Sequence, residues 1–162
     1  MIMKGMTDLK QDKKQQIQQM YRQIDELDLL LTQYFMDLNE FELTYQQEQV
    51  LMLFKRQDTW TTTELALRMN ISKSGISQVL KVLENRGFVK KEKNPNNLRE
   101  SFIQLDSLGH AFSARVNEIE EQLTDELFSV LGDEEVVALS KSFQNIITHL
   151  TEKKKREEKA EE

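Results

Sequence analysis

The 162 residues carry 28 acidic and 22 basic side chains, a net charge of −6, with 38% apolar and 31% charged residues, a balance suited to one globular domain. There is no cysteine, which excludes thiol redox sensing, thiolate zinc sites and cysteine nucleophiles. No apolar run approaches the roughly 20 residues needed to span a bilayer. Met1 to Gln19 has no apolar signal-peptide core, so no membrane partner and a cytoplasmic location are expected.

The charge is unevenly spread. From Arg68 to Arg99 there are eight basic residues and only Glu84 and Glu92 as acids, so this segment carries +6 and the remainder −12. A basic middle in an acidic chain suits a localised anionic partner, and on charge alone a solvated basic surface suits it equally well.

From about Gln11 to Leu38, Ile17, Met20, Ile24, Leu27, Leu31, Tyr34 and Leu38 recur at alternating steps of three and four. This is a helical stripe close to the coiled-coil period, and Tyr21, Leu30 and Phe35 widen it. At 1.5 Å per residue the helix is about 40 Å long, more than a small domain covers, which points to a partner subunit. A second helix is predicted from Thr44 to about Lys55, with Val50, Leu51, Leu53 and Phe54 inward. Thr61-Thr62-Thr63-Glu64 then has capping-box spacing and opens a short helix containing Leu65, Ala66, Leu67 and Met69. After a tight break at Asn70-Ile71, Ser72 caps a helix that buries Ile76, Val79, Leu80 and Leu83 and stops at Gly87.

Phe88 to Lys93 and Glu100 to Leu105 read as two strands around the turn Asn94-Pro95-Asn96-Asn97. Asp106 is placed to cap a long helix bearing Phe112, Val116, Ile119, Leu123, Leu127 and Val130. Gly132-Asp133 ends it, and Val136, Leu139, Phe143, Ile146 and Leu150 mark a last helix. The charged tail is expected to fray. The expected fold is mainly α with a small β-hairpin wing: a winged helix-turn-helix with long N- and C-terminal dimerisation helices. It is expected as a single domain, with dimerisation helices at 10–40 and 107–151, a DNA-binding lobe at 41–106 and a charged tail at 152–162.

Two short helices, a tight turn and a basic hairpin carry the functional reading. On the second helix of the pair, Ser74, Ser77, Gln78, Lys81 and Asn85 lie opposite the apolar face, suited to base edges and phosphates of double-stranded DNA. Ser72 and Lys73 sit at its amino terminus, where free amides favour a phosphate. Lys90, Lys91, Lys93 and Arg99 are the hairpin cations. The candidate DNA-binding residues are thus Ser72, Lys73, Ser74, Ser77, Gln78, Lys81, Lys90, Lys91, Lys93 and Arg99.

From Leu43 to Gly109 the sequence resembles the multiple-antibiotic-resistance regulator (MarR) family. The matching pieces are Leu43-Thr44-Tyr45-Gln46-Gln47, Thr61 with Glu64-Leu65-Ala66, Ser72 through Ile76, and Leu83-Glu84-Asn85-Arg86-Gly87-Phe88-Val89. Asn94 to Arg99, Leu105 and Gly109 follow in order. The resemblance implies a homodimer joined through its first and last helices, pseudo-palindromic operators, and release of DNA by an effector. It departs from the family at the wing, where an acidic residue and two arginines are usual and Asn97, Leu98 and Arg99 stand. Gln78, Gly75 and Asp106 also depart from the commoner residues.

Tyr21, Tyr34, Phe35, Phe41, Tyr45 and Phe112 are candidates to line a pocket for a small apolar or aromatic effector, and core packing explains them equally well. The five glycines are scattered, so no phosphate loop exists. His110 and His149 lack ligand spacing, and Glu120-Glu121 and Glu134-Glu135 suit solvated helix faces and helix starts, so no metal, cofactor or enzymatic activity is expected. The competing reading is a winged-helix protein-interaction module that has lost operator binding, motivated by net acidity and the missing wing arginine.

Overall fold

The computed structural model describes residues 2–93 and 101–161. Two compact units are present, Met1–Ile119 and Glu120–Glu162.

In the first unit, helix α1 runs Ile2–Phe35 and passes into a 3-10 helix, Met36–Phe41. The apolar stripe extended one helix to Leu38. In the structure the α-helix ends earlier, and Leu38 is buried from the tighter 3-10 turn. Glu42, at φ 48, closes that turn with its N–H on the Asn39 carbonyl. A non-glycine residue in this left-handed region is held there by its surroundings. Arg86 supplies them by binding the Phe41 and Glu42 carbonyls.

Helix α2 (Tyr45–Leu53) begins at a reciprocal cap: the Thr44 amide donates to Gln47 Oε1 at 2.9 Å, and Thr44 Oγ1 accepts from the Gln47 amide at 3.4 Å. Helix α3 (Thr62–Met69) starts at the predicted capping box, with Thr61 N on Glu64 Oε2 at 2.7 Å and Glu64 N on Thr61 Oγ1 at 3.2 Å. Asn70, at φ 54, ends it. Helix α4 (Lys73–Asn85) is capped by Ser72, whose Oγ accepts from the Gly75 amide at 3.1 Å. Gly87, at φ 76, lets the chain turn into the sheet.

The hairpin is part of a three-stranded antiparallel sheet ordered β1-β3-β2, formed by Trp60–Thr61, Val89–Lys93 and Ser101–Leu105 in chain order. The two-residue β1 was not anticipated: a strand so short has no periodicity of its own, and pairing of Trp60 with Ile103 and Thr61 with Phe102 defines it. Across the hairpin, Val89, Lys91 and Lys93 face Leu105, Ile103 and Ser101. Helix α5 then begins at Ser107 and continues to Leu127. Asp106 caps it locally, with Oδ1 accepting from the Ser107 amide at 2.8 Å and the carbonyl from His110 N at 2.9 Å.

The core of this unit gathers Val50, Leu65, Ile76, Leu80, Leu83, Phe88, Ile103, Phe112 and Val116, each no more than 1% exposed. Each such side chain contributes about 1.5–3 kcal/mol by leaving water. Two predicted inward residues, Leu53 and Val79, differ, and one apolar residue of α3 stays outside. Leu67 is 68% exposed because α3 turns only Leu65 and Ala66 fully inward, and Leu53 and Val79 are half-buried at the margins of their helices.

The second unit contains the end of α5, a 3-10 turn at Phe128–Val130, and helix α6, Asp133–Glu161. Val130, expected on the long helix, instead falls in the 3-10 turn after α5 ends at Leu127, and is exposed there. The Gly132 amide donates to Glu135 Oε2 at 2.8 Å at the start of α6. The charged tail does not fray: α6 continues to Glu161, supported by Glu152–Arg156 at 3.3 Å and Lys153–Glu157 at 3.7 Å. Lysine, arginine and glutamate are good helix formers, and i,i+4 pairs of opposite charge add to this.

Candidate nucleic-acid interface

Helix α4 presents two chemically distinct faces. Ile76, Leu80 and Leu83 are buried, while Lys73, Ser74, Ser77, Gln78, Lys81 and Asn85 are exposed. Helix α3 packs against α4, and α2 supports both, so the exposed face is held by the core beneath it. Three serines are partly committed within the helix. Ser72 Oγ caps Gly75 and lies 3.0 Å from Ser74 Oγ, and Ser77 Oγ donates to the Lys73 carbonyl at 2.7 Å. Each hydroxyl keeps an acceptor lone pair, whereas Gln78 and Lys81 make no such side-chain bond among the described residues. They are the side chains most free to reach a base edge or phosphate.

The hairpin leaves the core after Val89, and Lys90, Lys91, Glu92 and Lys93 are all exposed. Two of its cations are paired: Lys91 Nζ lies 2.5 Å from Glu84 Oε2, and Lys90 Nζ 3.4 Å from Glu92 Oε1. Glu84 belongs to α4, so Lys91 ties the wing strand to the helix that carries the polar face. This role was not visible in the sequence, where Glu84 counted only as one of two acids in a basic segment. Arg99 and the wing tip from Asn94 to Glu100 lie outside the described residues.

Arg86 is a second residue whose role the structure supplies. It follows the last residue of α4, its Nη2 donates to the Phe41 carbonyl at 2.6 Å and its Nη1 to the Glu42 carbonyl at 2.8 Å. The guanidinium also sits 5.1 Å above the centroid of the Phe88 ring. Arg115 of α5 holds the same connecting segment from another side, pairing with Asp37 and with Glu118 at 2.7 Å. Gly109 completes the frame: a Cβ there would overlap the Phe88 carbonyl oxygen. At Gly75 of α4 an added Cβ would meet only the Ser72 hydroxyl, at 3.3 Å, and Ile71 Cδ1, at 3.9 Å.

The six aromatic candidates are not one cluster. Phe35, Tyr45 and Phe112 line a cavity of about 530 Å³ between the end of α1, the 3-10 turn, α2 and α5. Phe41 packs edge-on against Phe112 at 5.4 Å and against Phe88 at 6.1 Å. It lines a separate groove with Arg86 and Arg115. Tyr21 and Tyr34 lie outside both linings, and Tyr21 is 61% exposed on α1. The cavity also takes in Asp28 and Glu48, which the sequence had not connected because they lie on different helices. Desolvation holds the Glu48 carboxyl above its ordinary value.

A helix pair with a polar second helix, followed by a cationic hairpin, defines a winged helix-turn-helix of the DNA-binding class. Comparison with known proteins agrees. Residues 43–101 match the MarR family. The HTH-type transcriptional regulator FarR of Neisseria gonorrhoeae is 28% identical over 110 residues, 68% of this chain and 75% of that one. AbsC, a MarR family transcriptional regulator from Streptomyces coelicolor, has a similar structure at TM-score 0.63, with 25% identity over 83% of this chain and 93% of that one. A mutant MarR from E. coli complexed with operator DNA shares the fold at TM-score 0.56, with 22% identity over 77% of this chain and 91% of that one. Residues 43–101 are thus similar to the MarR family, and the curated relative and the AbsC structure that resemble this chain are named as transcriptional regulators. No helix among the described residues is long and apolar enough to cross a membrane.

Proposed function

We propose that this protein is a cytoplasmic, sequence-specific DNA-binding repressor that binds pseudo-palindromic operators as a homodimer and is released by a small-molecule effector. The observation that carries the reading is the two-faced helix α4, whose exposed Lys73, Ser74, Ser77, Gln78 and Lys81 are backed by the buried Ile76, Leu80 and Leu83. In this reading α4 enters the major groove, Ser72 and Lys73 meet a phosphate at its amino terminus, and Lys90, Lys91, Lys93 and Arg99 follow the adjacent backbone and minor groove.

Two uncovered apolar stripes support the dimer. Met20, Ile24 and Leu27 on α1 are 44–48% exposed, and Phe143, Ile146 and Leu150 on α6 are 52–58% exposed. Apolar surface of this regularity is normally buried by a partner. The segments 10–40 and 107–151 are assigned to that contact, and 41–106 to DNA. The cavity beside Phe35, Tyr45 and Phe112 lies where the end of α1 meets α2, so a ligand there would bear on the angle between those segments.

The test is selection of bound duplexes from genomic fragments, followed by titration of the selected and scrambled duplexes at several salt concentrations. A selected duplex bound at least about 1,000-fold more tightly than the scrambled one supports a sequence-specific regulator. Equal, weak binding to both would leave the protein-interaction module as the better reading.

A further inference from the structure

The cavity between α1, the 3-10 turn, α2 and α5 has an unusual electrostatic lining. Asp28 and Glu48 contribute carboxylates, and no lysine, arginine or histidine is among the described residues that line it. Neither carboxylate has an ion pair or side-chain hydrogen bond among the described residues. Glu48 is half-buried beside apolar neighbours, and that partial desolvation raises its pKa. A carboxylate so placed disfavours a second anion in the same space and gains from a cation there, more strongly than it would in bulk water. The rest of the lining is largely apolar and aromatic, with Phe35, Tyr45 and Phe112 supplying rings of the kind that attract organic cations. An inorganic divalent ion is a poorer match, because no group of three or more metal-ligating side chains occurs among the described residues.

We propose, resting on the reading of this cavity as an effector site, that its ligand is a lipophilic organic cation: a protonated or quaternary amine carried on an aromatic or apolar body, with Asp28 and Glu48 as its counter-charges. The aromatic body displaces water from the Phe35 and Phe112 side, and the ammonium group offsets half of the charge of the two carboxylates. Charge and burial thereby favour a cation over an anion of the same size.

The experiment uses the full chain and three probes at matched ionic strength: benzyltrimethylammonium, benzoate as the anionic counterpart, and tetramethylammonium as the control for non-specific charge. Binding is read by calorimetry on the free protein, and DNA release separately by fluorescence anisotropy. Benzyltrimethylammonium is expected to bind at least ~10-fold more tightly than either other probe, a preference that Glu48→Gln and Asp28→Asn each reduce severalfold. Both variants keep the side-chain volume, and thermal melting reports whether they fold. Tighter binding of benzoate overturns the cationic assignment even if DNA is released, and leaves an effector site of the opposite charge preference. Cation binding that both variants weaken, with DNA affinity unchanged, supports the ligand class and overturns the effector reading instead. No preference among the probes, or a Glu48→Gln variant whose only defect is a weakened dimer in sedimentation, overturns the proposal.

Discussion

The guanidinium of Arg86 donates to the main-chain carbonyl of Phe41 at 2.6 Å, joining the end of the polar-faced helix α4 to the turn that ends the long helix α1. A second bond to the Glu42 carbonyl, at 2.8 Å, makes the contact two-pronged and fixes its direction. In the proposed dimer this is a short path between the subunit contact and the DNA-reading helix. Arg86→Ala should cost roughly 1–3 kcal/mol, because the half-buried Phe41 carbonyl is deprived of a charged donor. Arg86→Lys should recover only part of that, since an ammonium cannot serve both carbonyls with the planar fork. Urea unfolding of the parent and the two variants measures the order, and an Arg86→Lys variant as stable as the parent would contradict it.

Two glycines should respond differently to the same substitution. Gly109→Ala drives a Cβ into the Phe88 carbonyl oxygen and to 2.9 Å from Leu105 Cδ2, so α5 must move off the sheet. The expected loss is at least about 1–3 kcal/mol. Gly87→Ala meets no atom within 4 Å and carries only the strain of its φ of +76°, about 1–2 kcal/mol. Gly109→Ala should also disturb DNA binding, by shifting the start of the wing strand. Thermal unfolding and DNA titration of both variants check the contrast.

The raised pKa of Glu48 has a definite sign for stability. Desolvation lifts it above 4.5, so the folded state holds this proton more tightly than the unfolded chain does. Its contribution is therefore most favourable at low pH and is lost as pH rises through the raised value. Glu48→Gln removes that loss. The variant should melt higher than the parent at pH 7, and the difference should vanish as pH falls below about 4.5. Paired melting curves across that range decide it, and a variant that is less stable at pH 7 would show that the carboxylate has a favourable partner.

DNA titrations should separate reading from holding. Gln78→Ala should narrow the gap between operator and scrambled duplex by roughly 1–3 kcal/mol while leaving the salt slope unchanged. Lys93→Ala should weaken binding to both and flatten the slope by about 0.9 for each phosphate left without its cation. Lys91→Ala should do both in part, because Lys91 also ties the wing to Glu84 on α4. Should Glu84→Gln reproduce the operator defect of Lys91→Ala, the positioning role of that pair is supported.

Subunit association should depend on both apolar stripes. Ile24→Asp and Phe143→Asp each place a charge on a surface now 48% and 54% exposed in the single chain. Sedimentation at micromolar concentration should show each variant shifted toward monomer, with operator affinity falling in parallel because the two half-sites are then bound independently. A variant that stays dimeric would remove that helix from the interface.

Much of this protein is decided by local sequence. The cap at Thr61, the stop at Asn70, the cap at Ser72 and the turn at Gly87 each act within a few residues, so the helix-turn-helix is legible before any tertiary contact is known. The apolar period along α4 likewise determines which of its faces meets the core, and so leaves Gln78 and Lys81 outside. The tertiary structure decides what depends on residues far apart in the chain. Strand β1 exists only because Trp60 meets Ile103, and the 3-10 turn at Met36–Phe41 is held by Arg86 and Arg115 from 45 and 78 residues away. The division of the aromatics between a cavity and a groove, with Asp28 and Glu48 lining the former, also belongs here. Periodicity records which side of a helix is apolar, but the neighbour that side meets is settled only when separate helices pack together.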